Sequence, residues 1–254
     1  KEEIKLQPNQ YVMLVSNSND KKTALARFYK YNDPLVKMYK MDDVWGIDAR
    51  NKEQSFALEL LMDPDVEVVS LIGQAGSGKT LLAVAAGLEQ VLGDDNEYKK
   101  LIVSRPIQPL GKDIGYLPGT LEEKMDPWLM PIKDNLEFLL GNDRDTVKMY
   151  FEKGVIEIEA ITYIRGRSIT NAFIIIDEAQ NLTRHELKTI LTRVGEGTKI
   201  ILTGDIEQID NIYIDETSNG LTYAVEKFKE HDISGHITLQ KGERSKVATL
   251  AAKI

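Results

Sequence analysis

From Trp45 onward, two rhythms of apolar residues alternate along the chain. Short unbroken runs read as strands buried on both faces: VEVVSLI (66–72), KKLIVSR (99–105), AFIIIDE (172–178), TKIILTG (198–204) and HITLQK (236–241). Between them, NKEQSFALELLMD (51–63), TLLAVAAGLEQVL (80–92) and TRHELKTILTRV (183–194) repeat apolar residues at helical spacing. Apolar strands separated by helices predict an α/β fold, a mainly parallel sheet flanked by helices on both faces. Before Trp45 the pattern differs. QYVMLVSN and ALARFYKY carry β-branched and aromatic residues around the turn-forming SNSNDKK, which predicts a hairpin within residues 10–40. The chain therefore divides into a β-rich N-terminal segment or connector, 1–44, and a larger α/β domain, 45–254. The proline-rich stretch from Arg105 to Leu140 reads as the least regular part, wrapping the surface near the site.

Composition narrows the function classes. With 42% apolar and 28% charged residues among 254, the chain can bury a full core. It has no cysteine, which excludes disulfides and thiolate chemistry. No apolar run approaches the roughly 20 residues of a membrane helix, and KEEIKLQPNQ is no signal peptide, so a cytoplasmic protein with no membrane partner is expected. A net charge of −8 argues against a surface coated for nucleic acid, yet leaves room for a local basic groove. The first residue is not methionine and the last stretch is apolar and helix-like, as in a piece of a longer protein.

The chemistry begins at LIGQAGSGKT. Gly73, Gly78, Lys79 and Thr80 meet the pattern G-x-x-x-x-G-K-[ST] between a strand and a helix, the context a phosphate-binding P-loop requires. Bare backbone from Gly73 through Gln74, Ala75, Gly76, Ser77 and Gly78 would turn its N–H groups around a phosphate, with the helix start at Lys79, Thr80 and Leu81 behind it. Lys79 would reach the terminal phosphates and the Thr80 hydroxyl would ligate Mg2+. In AFIIIDEAQN, Asp177 and Glu178 end a buried strand at the sheet edge where ligands sit; Asp177 would hold the metal through its waters and Glu178 would polarise the attacking water. KIILTGDIEQID offers Thr203, Asp205 and Gln208, the last able to touch both γ-phosphate and water. An amide at Gln54 can read the adenine edge. Arg105, Arg165, Arg167 and Arg244 are candidates for neutralising the transferring phosphoryl group, Arg244 being favoured as the finger. His185, His231 and His236 have no companions at metal-ligand spacing.

Gln54, GQAGSGKT, DEAQN and GDIEQ together resemble the first RecA-like lobe of superfamily 1 helicases. WGIDARNKEQ, SRPIQPLGKDIGYLPGTLEEKMDPWLMPI, YIRGRSITNAFIIIDEAQN and LTGDIEQID bring the match closer to the PhoH family of ATPases, over roughly residues 45–245. The arrangement resembles the C-terminal ATPase half of PIN–PhoH fusion proteins. That resemblance implies a RecA-like P-loop NTPase using ATP and Mg2+ and acting on single-stranded RNA, with an N-terminal PIN nuclease domain missing from this chain. A single RecA-like lobe must draw its arginine from its own tail or from a neighbour, so a homo-oligomeric ring, a hexamer, is expected. Lys99, Lys100, Arg105, Lys112, Tyr116, Lys124 and Trp128 could line an RNA channel. The other function class left open is a nucleotide-controlled assembly module acting on a protein partner or attached nuclease.

Overall fold

The structure is a computed structural model and describes residues 5–39, 41, 43–94, 96–106, 121–164, 166 and 168–240; the side chains at 121–126, 162 and 163 stand outside that description. At the N-terminus β1 (Gln10–Ser16), β2 (Asn19–Phe28) and β3 (Val36–Lys37) form a three-stranded antiparallel sheet in the order β1-β2-β3. The hairpin is tighter than SNSNDKK suggests. Asn19 already pairs with Ser16, so Asp20 to Lys22 belong to β2 rather than to the turn.

The rest is organised by one six-stranded sheet. Its strands are β4 (Val68–Gly73), β5 (Lys100–Arg105), β6 (Ile156–Ala160), β7 (Ala172–Ile176), β8 (Lys199–Gly204) and β9 (Ser234–Leu239), in the order β6-β5-β7-β8-β4-β9. Every neighbouring pair is parallel. One strand, β8, thus separates the P-loop strand β4 from the acidic strand β7, the arrangement of a RecA-like core. Alternate residues of each strand feed opposite faces, as the strand period demands. Phe173 and Ile175 join one core with Leu101, Val103 and Ile201; Ile174 and Ile176 join the other with Ile102, Ile200 and Leu202.

Helices cover both faces. On the first lie α1 (Lys52–Met62), α2 (Lys79–Leu92), α3 (Leu121–Leu139) and α4 (Arg144–Glu152); on the second, α5 (Ile161–Ile164), α6 (Arg184–Leu191) and α7 (Gly220–Phe228). Asn51 caps α1 through its side chain, and Thr183 with Glu186 closes a capping box on α6. Over its own span the helix α3 corrects the expectation of an irregular Arg105–Leu140 segment, of which residues 107–120 lie outside the described residues. Pro127 and Pro131 are four apart, so they share the solvent-exposed face, while Leu129, Ile132 and Leu136 are buried against the core. Interior prolines cost a helix its ladder bonds, and here inward packing outweighs that cost.

The N-terminal sheet is fastened to the larger body by the stacking of Tyr11 on Phe56 of α1, ring centres 4.6 Å apart, and by one buried cation. Arg27, 1% exposed, donates from NH2 to Asn9 Oδ1 at 2.6 Å and pairs with Asp63 at 2.7 Å and Glu59 at 3.5 Å. Asn9 in turn donates to the carbonyls of Asp232 and Ser234, where β9 begins. The sheet is therefore rooted at the amino edge of the parallel strands.

Candidate nucleotide site

Among the described residues, the pieces of the site sit on the opposite, carboxyl edge of the sheet. β4 ends at Gly73, where an added Cβ would lie 2.6 Å from the Leu239 carbonyl oxygen, so a glycine is what lets β9 run alongside. The chain then turns through Gly76 (φ +80°) and Gly78 (φ +91°), both left-handed, before α2 starts at Lys79. A Cβ on Gly78 would come within 3.1 Å of Gln54 Nε2. That amide donates to the Ser77 carbonyl at 3.1 Å, and Gln54 Oε1 accepts from the Arg50 amide at 2.9 Å. Gln54 thus braces the loop against the 46–50 turn. Beside it opens a cleft of about 510 Å³ lined by Ile47, Arg50, Gln54, Gly76, Leu81 and Phe138, among others. The Lys79 ammonium lies back over the loop, donating to the Gly73 and Gln74 carbonyls at 2.5 and 3.0 Å.

The acids meet this loop directly. Asp177, 4% exposed, accepts at Oδ1 from the Thr80 hydroxyl at 2.8 Å and from the Thr203 hydroxyl at 2.6 Å. Three elements (α2, β7 and β8) therefore converge on one carboxylate oxygen. Glu178 holds a left-handed backbone (φ 53°), which opens the 3-10 turn Ala179–Asn181. Its two oxygens are both engaged: Oε1 by Arg105 NH2 at 3.2 Å and Oε2 by Gln180 Nε2 at 2.5 Å. Arg105 NH1 also lies 3.9 Å from Asp177 Oδ2.

Gln180, fully buried, escaped the sequence reading. Its Nε2 also donates to the Gln208 carbonyl at 2.9 Å, and its Oε1 accepts from the Asp205 amide at 3.2 Å. Asp205 accepts from the Ala75 amide at 2.9 Å, and the Gln74 amide side chain donates to Glu207 at 3.0 Å, so the end of β8 holds the P-loop. Gln208 is brought to this network through its main chain, with its side chain exposed. Phe138, 58% exposed at the cleft, was also missed. Only a fold that carries α3 past α2 could reveal it. Arg165, Arg167, Lys112, Tyr116 and Arg244, and the Lys124 side chain, lie outside the described residues. Lys99 and Lys100 stand at the amino end of β5 and Arg105 at its carboxyl end, so these cations are not gathered in one groove; Lys100 pairs with Glu157 at 2.9 Å.

The donor set suits magnesium. Thr80 Oγ1 and the Asp177 carboxylate are hard oxygen ligands beside a phosphate cradle, and magnesium in such sites takes one or two carboxylates with phosphate oxygens. Among the described residues no group of three or more His, Cys, Asp or Glu is gathered as an all-protein metal cage. Among them, too, no helix is long and apolar enough to cross a membrane.

Known proteins resemble this chain in sequence. Protein PhoH2 of Bacillus subtilis is 54% identical over 250 residues, covering 97% of this chain and 56% of that protein. Protein PhoH2 of Thermobispora bispora is 41% identical, covering 87% of this chain and 50% of that protein. The chain spans about half the length of the curated relatives it matches. Among solved structures, the Pif1 helicase from Candida albicans overlaps 82% of this chain and 43% of its own at 16% identity and a TM-score of 0.40, too loose to bear on function. The PhoH-like protein family matches residues 46–253. With that match over most of its length and a P-loop facing an acidic strand across one intervening strand, the chain belongs to the PhoH-like family and is a P-loop NTPase.

Proposed function

We propose that this chain is a magnesium-dependent ATPase whose cycle acts on single-stranded RNA, as one subunit of a ring oligomer, with a hexamer the expected number. The observation that carries the reading is the hydrogen bond between Thr80 and Asp177, which joins the P-loop to the acidic strand where a phosphate-bound cation belongs. The loop amides from Gln74 to Gly78 would hold the β-phosphate, Lys79 would leave the Gly73 and Gln74 carbonyls for the terminal phosphate, and the cleft beside Gln54 would take the base. Thr80 and Asp177 would hold magnesium, which supplies neutralisation of the charge on the terminal phosphates. Glu178 would accept a proton from the attacking water. Each of its oxygens accepts one hydrogen bond, from Arg105 or from Gln180, and keeps a second lone pair for that water. The arginine completing the site would be Arg244 or one from a neighbouring subunit. A PIN nuclease domain joined to this ATPase, and a cytoplasmic setting, belong to the same proposal.

The second reading, a nucleotide-controlled assembly module acting on a protein partner, draws on the net charge of −8. Steady-state ATP hydrolysis with and without single-stranded RNA separates the two. A rate raised several-fold by RNA, with affinity falling steeply as salt rises, is the expected result. A rate indifferent to RNA, with no binding at low salt, would leave the assembly module.

A further inference from the structure

The cleft beside the P-loop has one wall that phosphate chemistry does not explain. Phe138 sits in the last turn of α3, 58% exposed, and borders the cleft. Leu129, Ile132 and Leu136 hold that helix on the core and are buried. Phe138 follows Leu136 by two positions, about 200° further round the helix, so its ring points away from that contact. Most of what burying a phenyl ring could contribute to the fold is therefore left unused. Nor does the ring hang on a loose end. The next carbonyl, of Leu139, accepts from Trp45 Nε1 at 2.9 Å, and the Trp45 amide donates to Glu89 Oε2 on α2 at 2.9 Å. Asp43 and Trp45 hold left-handed backbone (φ 57° and 49°), kept there by the paired Val44–Ile47 amide bonds and by the Gly46 amide on Asp43 Oδ1. Backbone strain of this kind persists where the surroundings over-determine it. The 43–47 turn, α2 and the end of α3 are thus locked together, and the walls of the cleft are set before a ligand arrives.

Ile47 and Leu81 line the same cleft, with Arg50 and Gln54 among its polar groups. Phosphates belong on the loop amides, and a ribose has no flat apolar face to offer a phenyl ring. Apolar walls with an exposed aromatic and a few polar groups suit a flat heteroaromatic ring. We propose that Phe138 stacks on the base of the bound nucleotide and gives the site a preference for purines. Stacking follows the area of the π-face rather than the donors and acceptors on the base edge, so a purine gains more from it than a pyrimidine. The inference rests on the reading of this cleft as the place of the base and adds the residue that holds it. It does not depend on hydrolysis, on RNA or on assembly.

The test is isothermal titration calorimetry of the full chain with magnesium and three probes. Two are the non-hydrolysable β,γ-imido analogues of ATP and CTP; the third is inorganic tripolyphosphate, which carries the phosphates without a base. Phe138→Ala should bind the ATP analogue at least ~10-fold more weakly, the loss expected of one stacked base, and should bind tripolyphosphate as the wild type does. Phe138→Tyr keeps the ring and should stay close to the wild type for every probe. The wild type should favour the ATP analogue over the CTP analogue, and Phe138→Ala should narrow that gap. Unchanged affinity of Phe138→Ala for the ATP analogue, or a gap that does not narrow, would overturn the proposal. So would an equal loss for tripolyphosphate, which would make Phe138 a prop for α3, or a Phe138→Tyr variant as weak as Phe138→Ala. A wild type that bound none of the probes would sink the nucleotide reading and this inference with it. Binding of all of them, with Phe138→Ala indistinguishable from the wild type, would sink this inference alone.

Discussion

Replacing Arg27 by methionine should unhook the N-terminal sheet while leaving the parallel sheet standing. The guanidinium is the shared partner of Asp63 at 2.7 Å, Glu59 at 3.5 Å and Asn9 at 2.6 Å, and it lies 4.2 Å from the Tyr29 ring centre. Removing one member of a buried ion pair costs about 3–5 kcal/mol, because its partners keep a charge they can no longer balance. Here the two carboxylate side chains retain 16–17% exposure and recover some water, which places the ionic cost near ~3 kcal/mol. The lost cation–π contact adds about 0.5–1 kcal/mol. Burial already pushes the Glu59 carboxyl above its usual range with Arg27 beside it, so without Arg27 it should take up a proton more readily still. A total of about 3–4 kcal/mol corresponds to a loss of roughly 10²–10³ in protection. Native-state amide exchange reads this directly: protection at the paired residues of β1 and β2 should fall by that factor, and protection along β7 should hold. Adding Asp63→Asn should return part of the loss by removing one stranded charge. Unchanged protection in β1 and β2, or an equal loss along β7, would refute this account of how the sheet is held.

Gly78→Ala should cost about 1–2 kcal/mol, since an L-residue is forced to a left-handed φ of +91°. The new Cβ, 3.1 Å from Gln54 Nε2, should also displace the brace on Ser77 and weaken ATP binding; thermal unfolding and a nucleotide titration read the two effects. Lys199 is fully buried, its ammonium donating to the carbonyls of Leu60, Asp63 and Val66, and burial pulls its pKa down to about 7. Since the unfolded chain binds this proton more tightly, stability should rise with pH between about 7 and the ordinary lysine value of 10.5, by about 2 kcal/mol from pH 7 to pH 9. Urea unfolding at the two pH values should show that rise in the wild type and lose it in Lys199→Met. Equal rises in both proteins would mean Lys199 keeps an ordinary pKa. The methionine variant should itself be destabilised by about 3 kcal/mol through the stranded carbonyls.

Much of this architecture can be read from local pattern. α1 is legible because Asn51 supplies a cap ahead of a helical apolar repeat, and β7 because its apolar run ends abruptly in Asp177. The P-loop is legible because Gly73, Gly78, Lys79 and Thr80 keep the full phosphate-loop spacing between a strand and a helix. What stays hidden depends on partners distant in sequence. Gln180 acquires its role only when the ends of β7 and β8 lie side by side, and Arg105 meets Glu178 only because β5 neighbours β7. The helix α3 is masked by Pro127 and Pro131, since local propensity says break while Leu129, Ile132 and Leu136 say pack. Strand β6 is short and alternates isoleucine with glutamate, a weak signal until Glu157 is seen paired with Lys100 on β5.

The most direct measurement of the central claim is ATP binding and ATP turnover, taken side by side for the wild type, Lys79→Ala and Glu178→Gln. Glutamine keeps the size of Glu178 but cannot take a proton from water. Glu178→Gln should therefore bind ATP within a few-fold of the wild type while turnover falls at least ~10²-fold. Lys79→Ala should lose binding. Turnover in Glu178→Gln at the wild-type rate, or undiminished ATP binding by Lys79→Ala, would contradict the assignment of hydrolysis to this site.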